Sequence, residues 1–205
     1  MIVMIDYGLG NLNAFVNIYK KLDIPIKIAK TATDLNEATK IILPGVGHFD
    51  HAMNKLNESG MRVKLDELVL QKKVPVIGIC VGMQILAKSS DEGIQPGLGY
   101  IDGVVKKFDV STFTQKTHLP HMGWNDVLPN ANEKLFTGLE NEPIYYFLHS
   151  YYFECNVASD AIAKADYGKE FVCAVKHENI YGVQFHPEKS HNYGIQLLKN
   201  FATLC

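Results

Sequence analysis

The chain has 205 residues, of which 47% are hydrophobic and 20% charged, a composition typical of a globular protein. Twenty basic and 22 acidic side chains give a formal net charge of −2, which argues against a nucleic-acid-binding protein with a broad cationic face. The apolar runs are too short to span a bilayer, the first residues lack a signal peptide's basic region, and the four cysteines lack zinc or disulfide spacing. We therefore expect a cytoplasmic enzyme or module with no metal, cofactor, membrane or nucleic-acid partner.

Short apolar runs alternate with helical patterns through the first hundred residues. Because these runs lack alternation of polar and apolar residues and are separated by helices, they indicate a mostly parallel sheet with helices on both faces. The predicted strands are 1–6, 24–29, 40–43 and 74–79, and the predicted helices are 11–22, 48–56, 61–71 and 82–88.

The second half changes to strand-like segments separated by Gly and Asn turns, and it closes with a helix. We interpret these segments as antiparallel strands that extend the same α/β sheet within one domain, residues 1–205. The predicted strands are 103–108, 144–149, 151–154, 171–176 and 180–184, and the helix is 191–204.

The strand 74–79 ends in Gly78-Ile-Cys80-Val-Gly82 and turns directly into a helical pattern. This arrangement is the strand–nucleophile–helix elbow with sulfur in place of oxygen, in which the flanking glycines allow strand and helix to approach closely. The positive end of the helix favours a thiolate, and the N–H of Val81 would bond an oxyanion. The alternative is a small buried cysteine, but Cys80 lies at the carboxyl end of a strand, where α/β proteins bind ligands.

A second pattern, His186-Pro187-Glu188, follows the strand 180–184. Because Pro187 favours an extended backbone at His186, the side chain of Glu188 can lie on the same side as the imidazole and set its tautomer. Alone, this could be a polar strand end. Together with the elbow, it predicts a catalytic triad with Cys80 as nucleophile, His186 as general base and acid, and Glu188 orienting the imidazole.

The strand 40–43 runs into Pro44-Gly45-Val46-Gly47, whose backbone N–H groups could complete an oxyanion hole or form a plain turn. Other patterns carry less information. Gly8-Leu-Gly10 lacks the third glycine of a dinucleotide site, and the H-x-x-H spacings at His48 and His118 lack a third zinc ligand. The tyrosines and phenylalanines around 145–153 are interpreted as core.

In combination, GICVGMQ, LPGVGHF and QFHPEKS resemble the class I (triad) glutamine amidotransferases. More narrowly, IDYGLGN, PHMGWN and HSYY resemble the glutaminase subunit of imidazole glycerol-phosphate synthase, along the whole chain. The resemblance implies a flavodoxin-like fold and hydrolysis of glutamine to glutamate and ammonia through a glutamyl thioester. It also implies an oxyanion strand at Gly45, Val46 and Gly47 with Val81 as the other donor. By the same resemblance the substrate contacts are Gln84, Ser150 and Tyr151, and the partner interface contains Asn11, Met122, Trp124 and Lys189.

The resemblance further implies a heterodimer with a (β/α)8-barrel cyclase, which receives ammonia through a channel. The cyclase makes imidazole glycerol phosphate and aminoimidazole carboxamide ribotide in histidine biosynthesis. The segments EGIQPGLGYID and KSHNYGIQLLKNF are similar to a side branch that serves amino-sugar synthesis for surface polysaccharide. A stand-alone cysteine γ-glutamyl hydrolase is a further alternative, and a binding module is disfavoured because all three triad residues are present.

Overall fold

The computed structural model describes residues 1–113, 117–139 and 143–205. Thirteen strands and five α-helices are found in these residues. The strands are β1 (Ile2–Ile5), β2 (Ile26–Ala29), β3 (Lys40–Leu43), β4 (Val76–Ile79), β5 (Ser89–Ser90), β6 (Gly103–Lys107), β7 (His121–Asp126), β8 (Leu128–Pro129), β9 (Ile144–His149), β10 (Tyr151–Cys155), β11 (Ala161–Asp166), β12 (Glu170–His177) and β13 (Ile180–Val183). The helices are α1 (Leu12–Lys21), α2 (Phe49–Glu58), α3 (Arg62–Asp66), α4 (Val81–Gln84) and α5 (His191–Leu204).

Five parallel strands form the first part of the main sheet in the order β2-β1-β3-β4-β13. Every residue of β1, β4 and β13 is buried, which requires cover on both faces of the sheet. The predicted α/β fold with a mostly parallel sheet is therefore confirmed.

The helices pack in two groups, α1 with α5 and α2 with α4. Helix α1 is capped by Asn11, whose side-chain oxygen accepts the N–H of Ala14 at 3.3 Å. Its buried residues Phe15 and Tyr19 are four positions apart and so share one face. The hydroxyl of Tyr19 donates to the carbonyl of Leu198 in α5 at 3.0 Å, which joins the first and last helices.

Antiparallel pairing extends the sheet from β13 through β12 and β10 to β6, as the sequence predicts. Strand β11 pairs with β12 and with β8, whereas the short β5 pairs with β6 in parallel. A separate two-stranded sheet consists of β7 and β9. It lies next to the turn after β13, because the N–H of His186 donates to the carbonyl of Tyr146 at 2.9 Å.

Four expectations need correction. The strand predicted over 144–149 does not extend the main sheet, because it pairs with β7 in the separate two-stranded sheet. The helix predicted over 82–88 ends at Gln84, because N–H groups of 97–101 bond to the carbonyls of 85–88 and replace the helical pattern. The helix predicted over 61–71 begins at Arg62 and finishes as a π-helical turn over Glu67–Gln71. Strands β5, β7, β8 and β11 were not predicted. Within the described part of the chain, no helix is long and apolar enough to cross a membrane.

Candidate active site

A cavity of about 300 Å³ opens at the carboxyl ends of β4 and β13, the place expected for a ligand site in an open α/β sheet. Four residues that the sequence did not single out for the site also line it, namely Glu92, Pro120, Leu148 and His149. The predicted site residues that line it are Val46, Gly47, Cys80, Val81, Gln84, Ser150, Tyr151 and His186.

Cys80 occupies a strained turn between β4 and α4, with φ of 54° in a region that non-glycine residues rarely adopt. The turn is possible because its flanking residues are glycines. A Cβ on Gly78 would lie 2.3 Å from the carbonyl oxygen of Gly82, and one on Gly82 would lie 2.0 Å from that of Leu43. The elbow predicted from Gly78 and Gly82 is therefore confirmed as a backbone geometry.

His186 is buried at the end of β13 and contacts both other members of the predicted triad. Its Nδ1 lies 2.9 Å from Oε1 of the buried Glu188. A carboxylate at Nδ1 requires the Nδ1–H tautomer of the neutral ring, which leaves Nε2 available to the thiol. Burial opposes the charged imidazolium, but hydrogen bonding and charge from Cys80 and Glu188 outweigh it and raise the pKa of His186 to about 10.

Two neighbours hold the turn that carries His186 and Glu188. The buried hydroxyl of Ser190 donates to the carbonyl of His186 at 2.6 Å and accepts the N–H of Tyr146 at 3.0 Å. Helix α5 crosses the turn so closely that a Cβ on Gly194 would lie 1.8 Å from the carbonyl oxygen of Pro187. The triad geometry thus depends on β9 and on α5.

The loop after β3 passes beside the nucleophile, and Val46 and Gly47 line the cavity opposite Val81. Gly45 does not line the cavity; it packs beneath α4, where a Cβ would lie 2.5 Å from the nitrogen of Gly82. The buried hydroxyl of Tyr7 donates to the carbonyl of Pro44 at 2.5 Å, which tethers the start of this loop.

One wall of the cavity is formed by Gln84, Ser150 and Tyr151. The amide Nε2 of Gln84 donates to the backbone carbonyl of Tyr151 at 3.3 Å and to Oε1 of Gln184 at 3.0 Å. Since both hydrogens of this amide are used within the protein, its oxygen is the group left for a ligand. The carboxylate of Glu92 adds a negative charge to the wall and accepts the N–H of Phe49 at 2.8 Å.

The residues expected at a partner interface lie around the β7–β9 sheet. Met122 and Trp124 are 64% and 49% exposed on the same face of β7, opposite Leu148 and Tyr146 of β9. The ammonium group of Lys189 lies 5.4 Å from the ring centre of Tyr146. Asn11 caps α1, and α1 contacts the turn Pro187–Lys189. These residues therefore border the triad turn.

The histidines with H-x-x-H spacing, His48 with His51 and His118 with His121, were compared with other possible metal ligands. No group of three or more His, Cys, Asp or Glu side chains that could hold a metal is found among the residues that the structure describes. His121 instead pairs with the distant His149, Nδ1 to Nε2 at 2.9 Å. This contact joins β7 to β9 and could not be read from the local spacing of either histidine.

The family model described as "Glutamine amidotransferase class-I" matches residues 3–205. The chain is 58% identical to the imidazole glycerol phosphate synthase subunit HisH of Bdellovibrio bacteriovorus, and 54% identical to the subunit of that name from Leptospira interrogans. Each alignment covers 100% of both chains. Among solved structures, PurLQS from Thermotoga maritima is similar in fold, with a TM-score of 0.74 over 98% of this chain and 96% of that one at 14% identity.

Proposed function

The chain belongs to the class-I glutamine amidotransferase family, and we propose that it is the glutaminase subunit of an imidazole glycerol phosphate synthase. The observation that carries the proposal is the contact of His186 with both Cys80 and Glu188, where Cys80 and His186 line one cavity. We further propose that residues 1–205 form one amidotransferase domain. A single hydrophobic core that includes residues from Ile2 to Phe201 supports this assignment.

The reaction begins when the thiolate of Cys80 attacks the side-chain carbonyl carbon of glutamine. Negative charge then develops on the carbonyl oxygen, and we assign its stabilisation to backbone N–H groups of Val81 and of the loop 45–47. The contact between His186 and Cys80 supports transfer of the thiol proton to the imidazole as the attack begins, which leaves an imidazolium. The imidazolium protonates the departing nitrogen, so the C–N bond breaks, ammonia leaves and a glutamyl thioester remains on Cys80.

Water completes the cycle. His186, now neutral, accepts a proton from a water molecule that attacks the thioester carbonyl, and the collapse of this second intermediate releases glutamate and regenerates the Cys80 thiolate. Glu188 keeps the proton on Nδ1 throughout, so that Nε2 serves first as acid and then as base.

Recognition of free glutamine requires groups for an α-ammonium and an α-carboxylate. We assign the α-ammonium to the carboxylate of Glu92 and the side-chain oxygen of Gln84, because both line the cavity and both are acceptors. We assign the α-carboxylate to the segment Ser150–Tyr151 on the same wall. A negatively charged Glu92 also disfavours substrates in which the amino group is acylated.

Ammonia is mostly protonated, and therefore not nucleophilic, at neutral pH, so it should be used where it is released. We propose a heterodimer with a (β/α)8-barrel cyclase, docked on the apolar face formed by Met122, Trp124 and Leu148 beside Lys189. Leu148 also lines the cavity, so this face borders the place where we propose that ammonia is released. The free state of all four cysteines supports a cytoplasmic location.

The test is glutamine hydrolysis by the purified chain, alone and with the cyclase subunit of the same organism, before and after addition of the cyclase's nucleotide substrate. We expect a large increase in rate with cyclase and nucleotide together. In that complex Cys80→Ser should abolish glutamine-dependent synthesis, by about 10⁴-fold or more, while synthesis from added ammonia survives.

Three other outcomes would change the assignment. A rate that stays near zero with this cyclase would favour an amino-sugar amidotransferase as the partner. A high rate for the isolated chain would favour a stand-alone cysteine γ-glutamyl hydrolase. Glutaminase activity retained by Cys80→Ser would show that the nucleophile is wrong.

A further inference from the structure

Two histidines outside the triad form a buried hydrogen-bonded pair beside the cavity. His149, at the end of β9, lines the cavity and is 6% exposed; His121, at the start of β7, is 2% exposed. Their nearest ring nitrogens, Nε2 of His149 and Nδ1 of His121, are 2.9 Å apart. Neither imidazole takes part in the chemistry assigned to Cys80 and His186, so the pair needs another explanation.

Only one arrangement of protons satisfies all the contacts of the pair with neutral rings. Nδ1 of His149 lies 2.7 Å from the backbone carbonyl of Tyr151, which can only accept, so this nitrogen carries the proton. Nε2 of His149 is then an acceptor, and Nδ1–H of His121 donates to it. Nε2 of His121 accepts in turn from the amide of Asn125 at 3.3 Å, which also donates to the carbonyl of Asp166 at 2.7 Å. The chain of donors runs in one direction, from Asn125 to Tyr151.

The environment keeps both rings neutral and in place. Burial lowers the pKa of His121 to about 4. Burial, and then the nearby His121 and His186, lower the pKa of His149 to about 3. His121 is also held between the rings of Phe147 and Tyr167, whose centres lie 4.7 and 3.9 Å from its own. The donor chain is therefore the same throughout the neutral pH range.

The carbonyl of Tyr151 receives donors from two directions, Nδ1 of His149 and Nε2 of Gln84. Both nitrogens of His149 are already engaged, which excludes it as a second general base. We propose that His121 and His149 are positioning residues that orient the Tyr151 peptide, and with it the segment Ser150–Tyr151 that binds glutamine. This inference rests on the proposed function, because it assigns Ser150–Tyr151 to the substrate wall.

The test compares near-isosteric variants at each histidine in a Cys80→Ala parent, which binds glutamine without turnover. The side-chain amide of asparagine can place an N–H close to the position of imidazole Nδ1, whereas leucine cannot. We expect His149→Leu and His121→Leu to raise the Kd for glutamine about tenfold, and His149→Asn and His121→Asn to stay within about threefold of the parent, by titration calorimetry. With Cys80 restored, the leucine variants should raise KM and leave kcat within about threefold.

The outcomes separate the inference from the function on which it rests. Equal weakening by leucine and asparagine at both positions, or a loss in kcat with unchanged KM, would overturn the positioning role while leaving the glutaminase assignment in place. A Cys80→Ala parent that does not bind glutamine would overturn the proposed function and the inference with it. Thermal unfolding of each variant identifies a folding defect; if His149→Leu does not fold, the His121 pair decides the question, because His121 does not line the cavity.

Discussion

The parallel and antiparallel parts of the molecule each bring one histidine to the same cavity. The two environments shift the pKa values of these imidazoles in opposite directions. His186 follows the parallel strand β13, contacts the Glu188 carboxylate and has a pKa raised to about 10. His149 ends the antiparallel strand β9, contacts a carbonyl and a neutral ring, and has a pKa lowered to about 3. Both histidines are buried, so burial alone does not determine the direction of the pKa shift. The charge of the hydrogen-bond partner determines whether the imidazole is protonated or stays neutral.

The same division applies to the rest of the site. The carboxyl ends of β3, β4 and β13 supply the loop 45–47, Cys80 and His186, to which we assign the chemistry on the amide of glutamine. The strands β9 and β10 and the segment at Glu92 supply the wall. Changes in the parallel part should therefore lower kcat, whereas changes in the wall should raise KM.

Glu188→Gln removes the main difference between the two histidines, because it gives His186 a neutral hydrogen-bond partner, as His149 has. We expect kcat for glutamine hydrolysis to fall about a thousandfold, because an amide can donate to Nδ1 and select the wrong tautomer. The pKa of His186, followed by NMR titration of the imidazole, should fall below its value in the unchanged protein. A kcat within tenfold of the unchanged enzyme would contradict the orienting role of Glu188.

The two histidine environments also predict opposite dependences of stability on pH. For His186 the pKa in the folded state lies above that of an unfolded histidine, so its contribution is complete below pH 6.5 and is lost as pH rises toward 10. For His121 and His149 the folded pKa values are lowered, so their contribution is complete above pH 6.5 and is lost as pH falls toward 4 and 3. Each group changes the free energy of unfolding by at most about 1.4 kcal/mol per pH unit.

Urea unfolding at a series of pH values measures the loss of stability above pH 6.5 and the loss below it. Compared with the unchanged protein, His186→Asn should flatten the loss between pH 6.5 and 10, and His121→Asn should flatten the loss below pH 6.5. If either variant changed the pH dependence of the free energy of unfolding equally above and below pH 6.5, the two histidine environments would not be independent.

Glu92→Gln tests whether the cavity wall acts in glutamine binding rather than in catalysis. Loss of the negative charge should raise KM for glutamine about tenfold and leave kcat nearly unchanged, since the glutamine side chain can still accept the N–H of Phe49. Steady-state kinetics give both constants. The neighbouring carboxylate Asp91 does not line the cavity, so Asp91→Asn is the matched control and should have little effect.

Tyr7→Phe tests whether the loop after β3 belongs to the catalytic part. The variant removes only the hydroxyl that bonds the carbonyl of Pro44, and we expect kcat to fall about threefold to tenfold at unchanged KM. Steady-state kinetics over a range of glutamine concentrations, with and without the partner, give both constants. A change confined to KM would assign Tyr7 to the substrate wall instead.

The placement of Cys80, His186 and Glu188 close together could be predicted from the sequence because its signals are local. Cys80 stands between two glycines that the elbow requires, and Glu188 follows His186 by two residues after a proline. The wall is assembled from distant segments, and its contacts leave little local signal. His121 and His149 are 28 residues apart, and Glu92 follows a strand of two residues in a segment for which the sequence predicts no element.

One pattern in the sequence could have revealed more of the wall. From His121 to Asn125 the residues alternate between a buried or half-buried face and an exposed face that carries Met122 and Trp124. This alternation is typical of a strand with one covered side, and it would have predicted β7 and an inward-facing His121. The glycine within β7 and the preceding proline obscure it.

The close crossing of α5 over the turn at Pro187 has a consequence for how the enzyme is made. A ribosome that has translated the elbow at Cys80 has more than one hundred residues still to add before His186, and the helix that holds its turn comes later still. An unfinished chain therefore contains a nucleophile without its base. Under the proposed mechanism, hydrolysis of glutamine can begin only after His186, Glu188 and helix α5 have been added, so a chain that ends before them should release no ammonia.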